Sequence, residues 1–311
     1  WSSDVCSSDL MMSDNDFIAK VCNYDFKNFI NYNNVLGIAK GKKIKNGIYT
    51  SDNCLTIFVE KKLPSNLLNK NEFIPSLYKG IKTDVVETGK ISSLSLISRN
   101  RPVIGGYSAG VIGSTAGTIG CTATNENSTE YYLLSNNHVF ANENRAKIGT
   151  PILQPGPYDG GNIENDIIGY LADYEPISFS TSNRSPKNYI DAAIALCDYN
   201  DISNIIALQG AITGTTHGRV GMKVKKTGRT TEFTTGKILY TNASLMIAYE
   251  GGYALFVNQI ITNAMSESGD SGSILLNNSN KAVGLLFAGS NSYSIFNPIS
   301  AVLKTLNIKL L

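Results

Sequence analysis

The sequence predicts a mainly β fold that is preceded by a small α+β unit. From about residue 103 onward, short apolar runs alternate with segments rich in Gly, Asn, Ser and Thr, and helical periodicity is weak. Many short strands at this spacing are typical of an all-β barrel or sandwich. An apolar content of 42% in 311 residues is enough to fill a sizeable core and argues against disorder.

Residues 11–100 are predicted to form the α+β unit. Apolar residues recur at helical spacing over residues 17–30, which predicts a helix. Branched and aromatic runs predict strands over residues 35–38, 55–59 and 83–87. The polar residues 42–54 are predicted to be a turn-rich connection. Residues 92–101, which precede Pro102, are interpreted as a linker to the β unit.

Residues 1–10 read WSSDVCSSDL and resemble a translated sequencing adapter, so we interpret them as an artefact. The other cysteines are scattered without Cys-x-x-Cys spacing: Cys22, Cys54, Cys121 and Cys197. This pattern predicts neither a disulfide framework nor a zinc site. No apolar run has the length of a secretion signal or a membrane span. A cytoplasmic protein with reduced thiols is therefore expected.

The charge pattern argues against several classes of partner. A net charge of +2 at pH 7 gives no reason to expect nucleic acid or a membrane surface. The basic run at residues 223–226 is predicted to lie on an exposed strand edge. With two histidines in the chain, we expect no metal and no organic cofactor. No pattern in the chain specifies an oligomer.

The segment Glu267-Ser-Gly-Asp-Ser-Gly-Ser273 places Ser271 between glycines. Glycines allow a sharp turn, which would direct the backbone N–H groups of Gly269 and Ser271 at the oxyanion of a tetrahedral intermediate. An α/β-hydrolase elbow uses a similar turn, but the helical crossovers of that fold are missing from the pattern. A Gly/Ser-rich loop without chemistry is the other alternative.

A serine hydroxyl needs a neighbouring base, and only two histidines are available. His138 follows the apolar run at residues 131–134, which places it at a strand end. A structural imidazole is the alternative for His138. His217 lies in a polar turn segment and is predicted to be on the surface.

The imidazole in turn needs a carboxylate to orient it and to stabilise its cation. Asp191 precedes an apolar run, so its charge would be partly desolvated and would need a charged partner. A strand-start cap is the alternative role for Asp191. Asp166 is the second candidate, but it follows His138 too closely to leave room for the strands of a barrel. We therefore favour Asp191.

Three segments together resemble the motifs of the trypsin-like (chymotrypsin-fold) serine peptidases. They are residues 134–139, with the sequence Leu-Ser-Asn-Asn-His-Val, residues 191–196 and residues 269–272. The resemblance covers residues 101–311 and implies a chymotrypsin-like double six-stranded β-barrel. It implies barrel one at about 103–200 and barrel two at about 205–300. It also implies a triad of His138, Asp191 and Ser271.

Further segments resemble narrower groups of this family. Residues 221–231, with residues 236–238, resemble the opening of the second barrel in bacterial secreted members. Residues 152–161, Ile-Leu-Gln-Pro-Gly-Pro-Tyr-Asp-Gly-Gly, and residues 283–290 are similar to a bacterial group related to plant Narrow leaf 1-type proteins.

The resemblance also implies a substrate pocket, with Met265 at its floor and Gly289 and Ser294 in its walls. No carboxylate stands at the floor, so a preference for Arg or Lys is not expected. We expect a pocket for a medium-sized apolar side chain.

The chain departs from the family pattern at two positions. Ser273 replaces a glycine of many relatives, and Phe287 stands where relatives often have a serine that supports the triad aspartate. Residues 103–106 resemble the new amino terminus of an activated trypsin, which would pair with Asp270. Pro102 directly precedes that segment and argues against cleavage there.

The function that these motifs predict is a serine endopeptidase that hydrolyses peptide or protein substrates through an acyl-enzyme. The alternative is a catalytically weak or inactive binding or scaffold protein on a peptidase fold. The amino-terminal unit shows no catalytic constellation, so we expect it to have a structural role.

Overall fold

The structure is a computed structural model, and it describes residues 13–68, 73–89, 91, 95–113, 116–125 and 129–311. The proposed artefact at residues 1–10 lies outside the described residues, as do residues 92–94 of the predicted linker. The chain divides into two compact units after residue 94. In the described part, no helix is both long and apolar enough to cross a membrane.

The amino-terminal unit packs two helices on a four-stranded sheet of order β1-β2-β4-β3. Its elements are α1 (Asp14–Tyr24), α2 (Lys27–Ile30), β1 (Val35–Lys45), β2 (Ile48–Val59), a 3₁₀ turn (Ser65–Leu67), β3 (Leu77–Tyr78) and β4 (Ile81–Glu87). The predicted single helix is interrupted at Asp25, which caps α1. Ile18 and Val21 of α1 and Phe29 of α2 pack on Leu55 and Ile57 of β2.

The prediction of a turn-rich connection over residues 42–54 is wrong. β1 and β2 form one long antiparallel hairpin, and only Asn46 and Gly47 make the turn. Both have positive φ, 50° and 78°, as a two-residue hairpin turn requires. This end of the hairpin is largely exposed, and its apolar residues Ile44, Ile48 and Tyr49 stand among lysines and other polar residues, so the strands show no continuous apolar face.

The second unit is built almost entirely from strands, of which β18 and β19 are long and most others short. Its elements are β5 (Val103–Gly105), β6 (Ser108–Val111), β7 (Gly117–Thr118), β8 (Cys121–Asn125), β9 (Tyr131–Ser135), α3 (Asn137–Phe140), β10 (Pro151–Leu153), a 3₁₀ turn (Pro157–Asp159), β11 (Ile167–Tyr174), β12 (Lys187–Asn188), β13 (Ala193–Cys197), a 3₁₀ turn (Tyr199–Asp201), β14 (Ile202–Ile206), β15 (Gly210–Ala211), β16 (Gly214–Thr215), β17 (Lys223–Gly228), β18 (Glu232–Tyr249), β19 (Gly252–Asn263), β20 (Ile274–Asn277), β21 (Lys281–Gly289), β22 (Tyr293–Pro298), α4 (Ile299–Thr305) and β23 (Ile308–Leu310).

Most of these strands form two curled sheets, and β15, β14 and β5 form a separate three-stranded sheet. The first has the order β23-β8-β9-β13-β11-β10-β6-β7, in which β23 and β7 are short additions to six main strands. In the second, β17, β18, β19, β22, β21 and β20 pair in a ring that β20 closes on β17. The predicted mainly β fold with two six-stranded barrels after a small α+β unit is confirmed.

Two local predictions on this unit are wrong. β17 lies between β18 and β20, so the basic run at residues 223–226 is not at a sheet edge, and Lys226 is fully buried. Residues 95–101 are not a free linker. Leu96 is buried and its carbonyl accepts the Ser108 amide at 2.7 Å, while the Gln154 side chain binds the Asn100 amide at 2.9 Å.

Candidate active site

His138 and Asp191 lie side by side because two neighbouring strands of barrel one end next to each other. β9 leads into α3, which carries His138, and β13 begins two residues after Asp191. The antiparallel register pairs Ser135 with Ala193, so the residues after β9 face those before β13. His138 Nδ1 lies 2.5 Å from Asp191 Oδ2, and the His138 amide donates to Oδ1 at 3.2 Å.

This pair has the electrostatics of an oriented base. The Asp191 side chain is fully buried, and 22% of the His138 side chain is exposed. Burial alone lowers the pKa of His138, but the charge and hydrogen bond of Asp191 and the charge of Glu143 outweigh it and raise that pKa. Because Nδ1 faces a carboxylate, the proton of the neutral ring is held there and Nε2 can accept another.

Ser271 lies in the loop between β19 and β20, and two glycines shape this loop. Gly269 has φ +97° and Gly272 has φ +99°, which a residue with a side chain rarely adopts. A side chain at Gly272 would also collide with the Thr118 carbonyl. The loop therefore turns sharply on both sides of Ser271, which is half-buried and lines a cleft.

The amides of Gly269 and Ser271 are two free donors in this loop. Among the residues that the structure describes, neither of these amides donates a hydrogen bond. The intervening and following amides of Asp270, Gly272 and Ser273 all donate to backbone carbonyls. The loop thus keeps free the two N–H groups that the sequence motif selects as an oxyanion hole.

The carbonyls of the same two peptides are held on the opposite side. The Thr230 hydroxyl donates to the Ser268 carbonyl at 2.8 Å. The Asp270 carbonyl accepts the amide of Ser273 at 3.0 Å and its hydroxyl at 2.5 Å. Both peptides are trans, so each free N–H points away from its anchored carbonyl. Ser273, where the resemblance implies a glycine, therefore supports the loop.

Gly117 of β7 lies between the Ser271 loop and the turn that carries His138. The Thr118 amide donates to the Ser271 carbonyl at 2.7 Å. A Cβ atom built on Gly117 would lie within 3.0 Å of both this carbonyl and the Val139 side chain. No hydrogen bond joins the Ser271 hydroxyl to the His138 ring among the bonds of the described residues. Catalytic hydrogen bonds of this kind often tighten only when substrate binds.

Asp270 forms a buried ion pair beneath the serine loop. Its Oδ2 lies 2.9 Å from Lys226 Nζ, and neither side chain is exposed. Asp270 also accepts the Thr231 hydroxyl at 2.6 Å and the amides of Glu267, Thr230 and Thr231. The carboxylate that would receive a freed amino terminus is thus already paired with an internal cation in the uncleaved chain.

A cleft of about 920 Å³ lies beside Ser271. Two of the predicted pocket residues, Met265 and Gly289, line it, together with Leu286, Ala288 and Thr234. Ser294, predicted as a wall, is fully buried behind the floor instead. Its hydroxyl accepts the Met265 amide at 3.0 Å and lies 2.6 Å from the Ser266 hydroxyl. Ser294 therefore supports the floor because its side chain points inward from β22.

The alternative site residues have other surroundings. Asp166 binds the Asn162 amide at 3.0 Å and pairs with Arg99 Nε at 3.2 Å, so it joins the segment ahead of barrel one to a loop of that barrel. His217 is exposed.

Comparisons with known proteins give similar solved structures. No family model matches the chain, and no curated protein matches it. Thermobifida fusca Protease A has 20% identity and a TM-score of 0.49, covering 67% of this chain and 98% of its own. Cellulomonas bogoriensis chymotrypsin has 21% identity and a TM-score of 0.48 over the same shares. Nocardiopsis protease has 21% identity and a TM-score of 0.49, again over 67% and 98%.

Sequence reasoning missed Tyr249 at this site. The Tyr249 hydroxyl donates to Asp191 Oδ2 at 2.8 Å, and its ring packs 5.9 Å from that of His138. Phe287, at the position of the expected supporting serine, instead packs on Phe256 in an aromatic cluster. Tyr249 ends the long strand β18, whose alternating burial continues to its last residue. The length of the strand was the one available sign of Tyr249, but it does not indicate which residues the end of the strand contacts.

Proposed function

We propose that this protein is a serine endopeptidase with His138, Asp191 and Ser271 as its catalytic triad. The observation that carries the proposal is the combination of the His138–Asp191 pair with two free amides around Ser271. A base oriented by a carboxylate and a preformed oxyanion site are the two elements that acyl transfer to a serine requires.

In the proposed reaction, Ser271 Oγ attacks the peptide carbonyl and its proton passes to His138 Nε2. The carbonyl oxygen becomes an oxyanion that accepts hydrogen bonds from the amides of Gly269 and Ser271. The C–N bond then breaks, and the imidazolium returns the proton to the leaving amine. Water, deprotonated by His138, attacks the acyl-enzyme, and Ser271 recovers its proton as the acid product leaves.

We propose that the cleft takes a medium-sized apolar side chain of the substrate. Met265, Leu286 and Ala288 contribute apolar side chains to its lining, which also includes the exposed Glu267. The buried Ser266–Ser294 hydroxyl pair holds the floor in place. Met265, the residue that the resemblance implies for the floor, carries no carboxylate for a cationic substrate side chain.

Two finer assignments belong to the same proposal. We place the protein in the bacterial group that resembles Narrow leaf 1-type proteins, on the strength of residues 152–161 and 283–290. We also propose a cytoplasmic location, which agrees with the free thiols of the described cysteines Cys22, Cys54, Cys121 and Cys197.

Fluorophosphonate labelling tests the proposed function. We expect one adduct per chain, mapped by peptide mass spectrometry to Ser271, and hydrolysis of a peptide substrate by the same preparation. Ser271→Ala should lose both. Ser268→Ala, which removes an exposed hydroxyl from the same loop, should keep both. Labelling that survives Ser271→Ala, or wild-type protein that is never labelled, would contradict the proposal.

A further inference from the structure

Two segments that the triad does not use meet in a buried ion pair. Asp159, in the segment 152–161, lies in a loop of barrel one, and Arg229 follows β17 of barrel two. Arg229 Nε donates to Asp159 Oδ2 at 2.8 Å, and Nη2 donates to Oδ1. The side chains are 11% and 4% exposed for Arg229 and Asp159 respectively. A two-point contact of this kind fixes the plane of the guanidinium.

The other side of the guanidinium contacts the serine loop. Arg229 Nη1 donates to the Thr230 hydroxyl at 3.1 Å, and this hydroxyl donates its only proton to the Ser268 carbonyl at 2.8 Å. A Cβ atom on Gly269 would collide with the Arg229 guanidinium and would lie 2.5 Å from Thr230 Oγ1. Arg229 and Thr230 thus pack directly against the peptide between Ser268 and Gly269.

The Arg229 backbone holds the next peptide in the same loop. The Arg229 amide donates to the Thr118 hydroxyl at 3.0 Å, and that hydroxyl donates to the Gly269 carbonyl at 2.9 Å. Two consecutive peptides therefore receive hydrogen bonds from chains that pass through Arg229, one from its side chain, which Asp159 holds, and one from its backbone amide.

We propose that Asp159, Arg229 and Thr230 are positioning residues that hold the Gly269 amide in the orientation of an oxyanion donor. The inference rests on the proposed function of Ser271. If the Ser268–Gly269 peptide rotated by half a turn, its carbonyl would occupy the oxyanion side and repel the developing charge. The Thr230 hydroxyl would then lose its acceptor. The donor chain from Arg229 makes that rotation unfavourable, because bonds in a chain strengthen one another.

The test compares Thr230→Val with Thr230→Ser. Valine keeps the size of the side chain but lacks the hydroxyl, and the site is exposed, so the fold should tolerate it. We expect Thr230→Val to lower kcat about 10- to 100-fold with KM nearly unchanged, because an oxyanion donor acts on the transition state. Thr230→Ser, which keeps the donor, should restore kcat. Asp159→Asn should also lower kcat.

A second readout follows the peptide itself. In protein labelled with ¹⁵N-glycine, the Gly269 amide signal should shift in Thr230→Val and stay in place in Thr230→Ser. A valine variant that matches wild type in both kcat and this signal overturns the inference while the proposed function stands. A higher KM and a lower thermal stability with an unchanged kcat overturn the inference as well, since that result is a purely structural effect. Wild-type protein without fluorophosphonate labelling overturns the proposed function, and the inference with it.

Discussion

At Tyr249, one hydroxyl supplies a contact to Asp191 that the residue at position 287 cannot. The hydrogen bond falls on Oδ2, the same oxygen that faces His138 Nδ1. Burial and the charge of Asp191 raise the pKa of Tyr249 well above its ordinary value, so the hydroxyl stays protonated and remains a donor. Oδ2 is therefore shared between the Tyr249 hydroxyl and the His138 ring, and the orientation of the carboxylate depends on both.

Tyr249→Phe should lower kcat about tenfold, since a hydrogen bond to a charged group contributes roughly 1.5 kcal/mol or more. It should also raise the pKa of His138 further, because Asp191 Oδ2 then interacts with the imidazolium without a competing hydroxyl donor. The base acts when neutral, so the acid limb of the pH–rate profile should move to higher pH. Steady-state kinetics across pH measure both effects.

The aromatic ring remains in Tyr249→Phe, so its packing on His138 and Phe256 is kept. Tyr253→Phe is the matched control, because Tyr253 lies on the paired strand with 63% of its surface exposed. The control should behave as wild type. A Tyr249→Phe protein with an unchanged kcat and pH profile would show that the hydroxyl does not position Asp191.

At the scale of elements, β17 stabilises the serine loop through Lys226. Burial lowers the pKa of Lys226, and the charge of Asp270 offsets this lowering only in part. For Asp270, burial raises the pKa, but Lys226 and the hydrogen bonds of the loop outweigh it, so the pKa is lowered. A lowered carboxyl pKa contributes stability above the ordinary value near 3.9, and this contribution is lost as the pH falls.

Lys226→Met should lower the free energy of unfolding by about 3–5 kcal/mol at pH 7, because it leaves Asp270 buried and charged without its partner. Burial then dominates and raises the pKa of Asp270, so the penalty diminishes as the pH falls from 7 towards 4. The difference in the free energy of unfolding between wild type and variant should therefore become smaller as the pH falls. Urea unfolding followed by circular dichroism at several pH values measures it.

Lys225→Met provides the control, since Lys225 is the neighbouring, partly exposed lysine of the same strand. Its effect should stay within about 0.5 kcal/mol. Two outcomes would contradict the account of the ion pair: equal losses of unfolding free energy in the two variants, or a difference between wild type and Lys226→Met that grows at low pH.

The elements also show what the sequence could predict. His138 and Asp191 were found because each adjoins an apolar strand, and an antiparallel register brings such strand ends together. The Lys226–Asp270 and Tyr249–Asp191 contacts join residues 44 and 58 positions apart. They depend on barrel closure and on the length of a hairpin, which local patterns do not specify. The hairpin end of β1 and β2 was missed because it is largely exposed and its few apolar residues do not form a continuous apolar face.

At the scale of the whole molecule, the serine loop is supported by both barrels of the second unit. Barrel one contributes Thr118 and Asp159, and barrel two contributes Lys226 and Arg229. Val103, at the segment that resembles an activated amino terminus, is fully buried in β5 and pairs with Ile202. A new amino terminus there would have to leave this pairing and displace Lys226 to reach Asp270.

We therefore expect the uncleaved chain to be competent. Full-length protein treated with a fluorophosphonate should show one adduct in its intact mass, with residues 101–103 still joined, and Ser271→Ala should show none. The physical reason is that Asp270 already has its cation, so the loop needs no new amine to adopt its shape. Activation by cleavage, as in trypsin, predicts that the label is found on the cleaved chain instead. Label confined to a shortened chain beginning at Val103, with full-length protein unmodified, would show that cleavage builds the site.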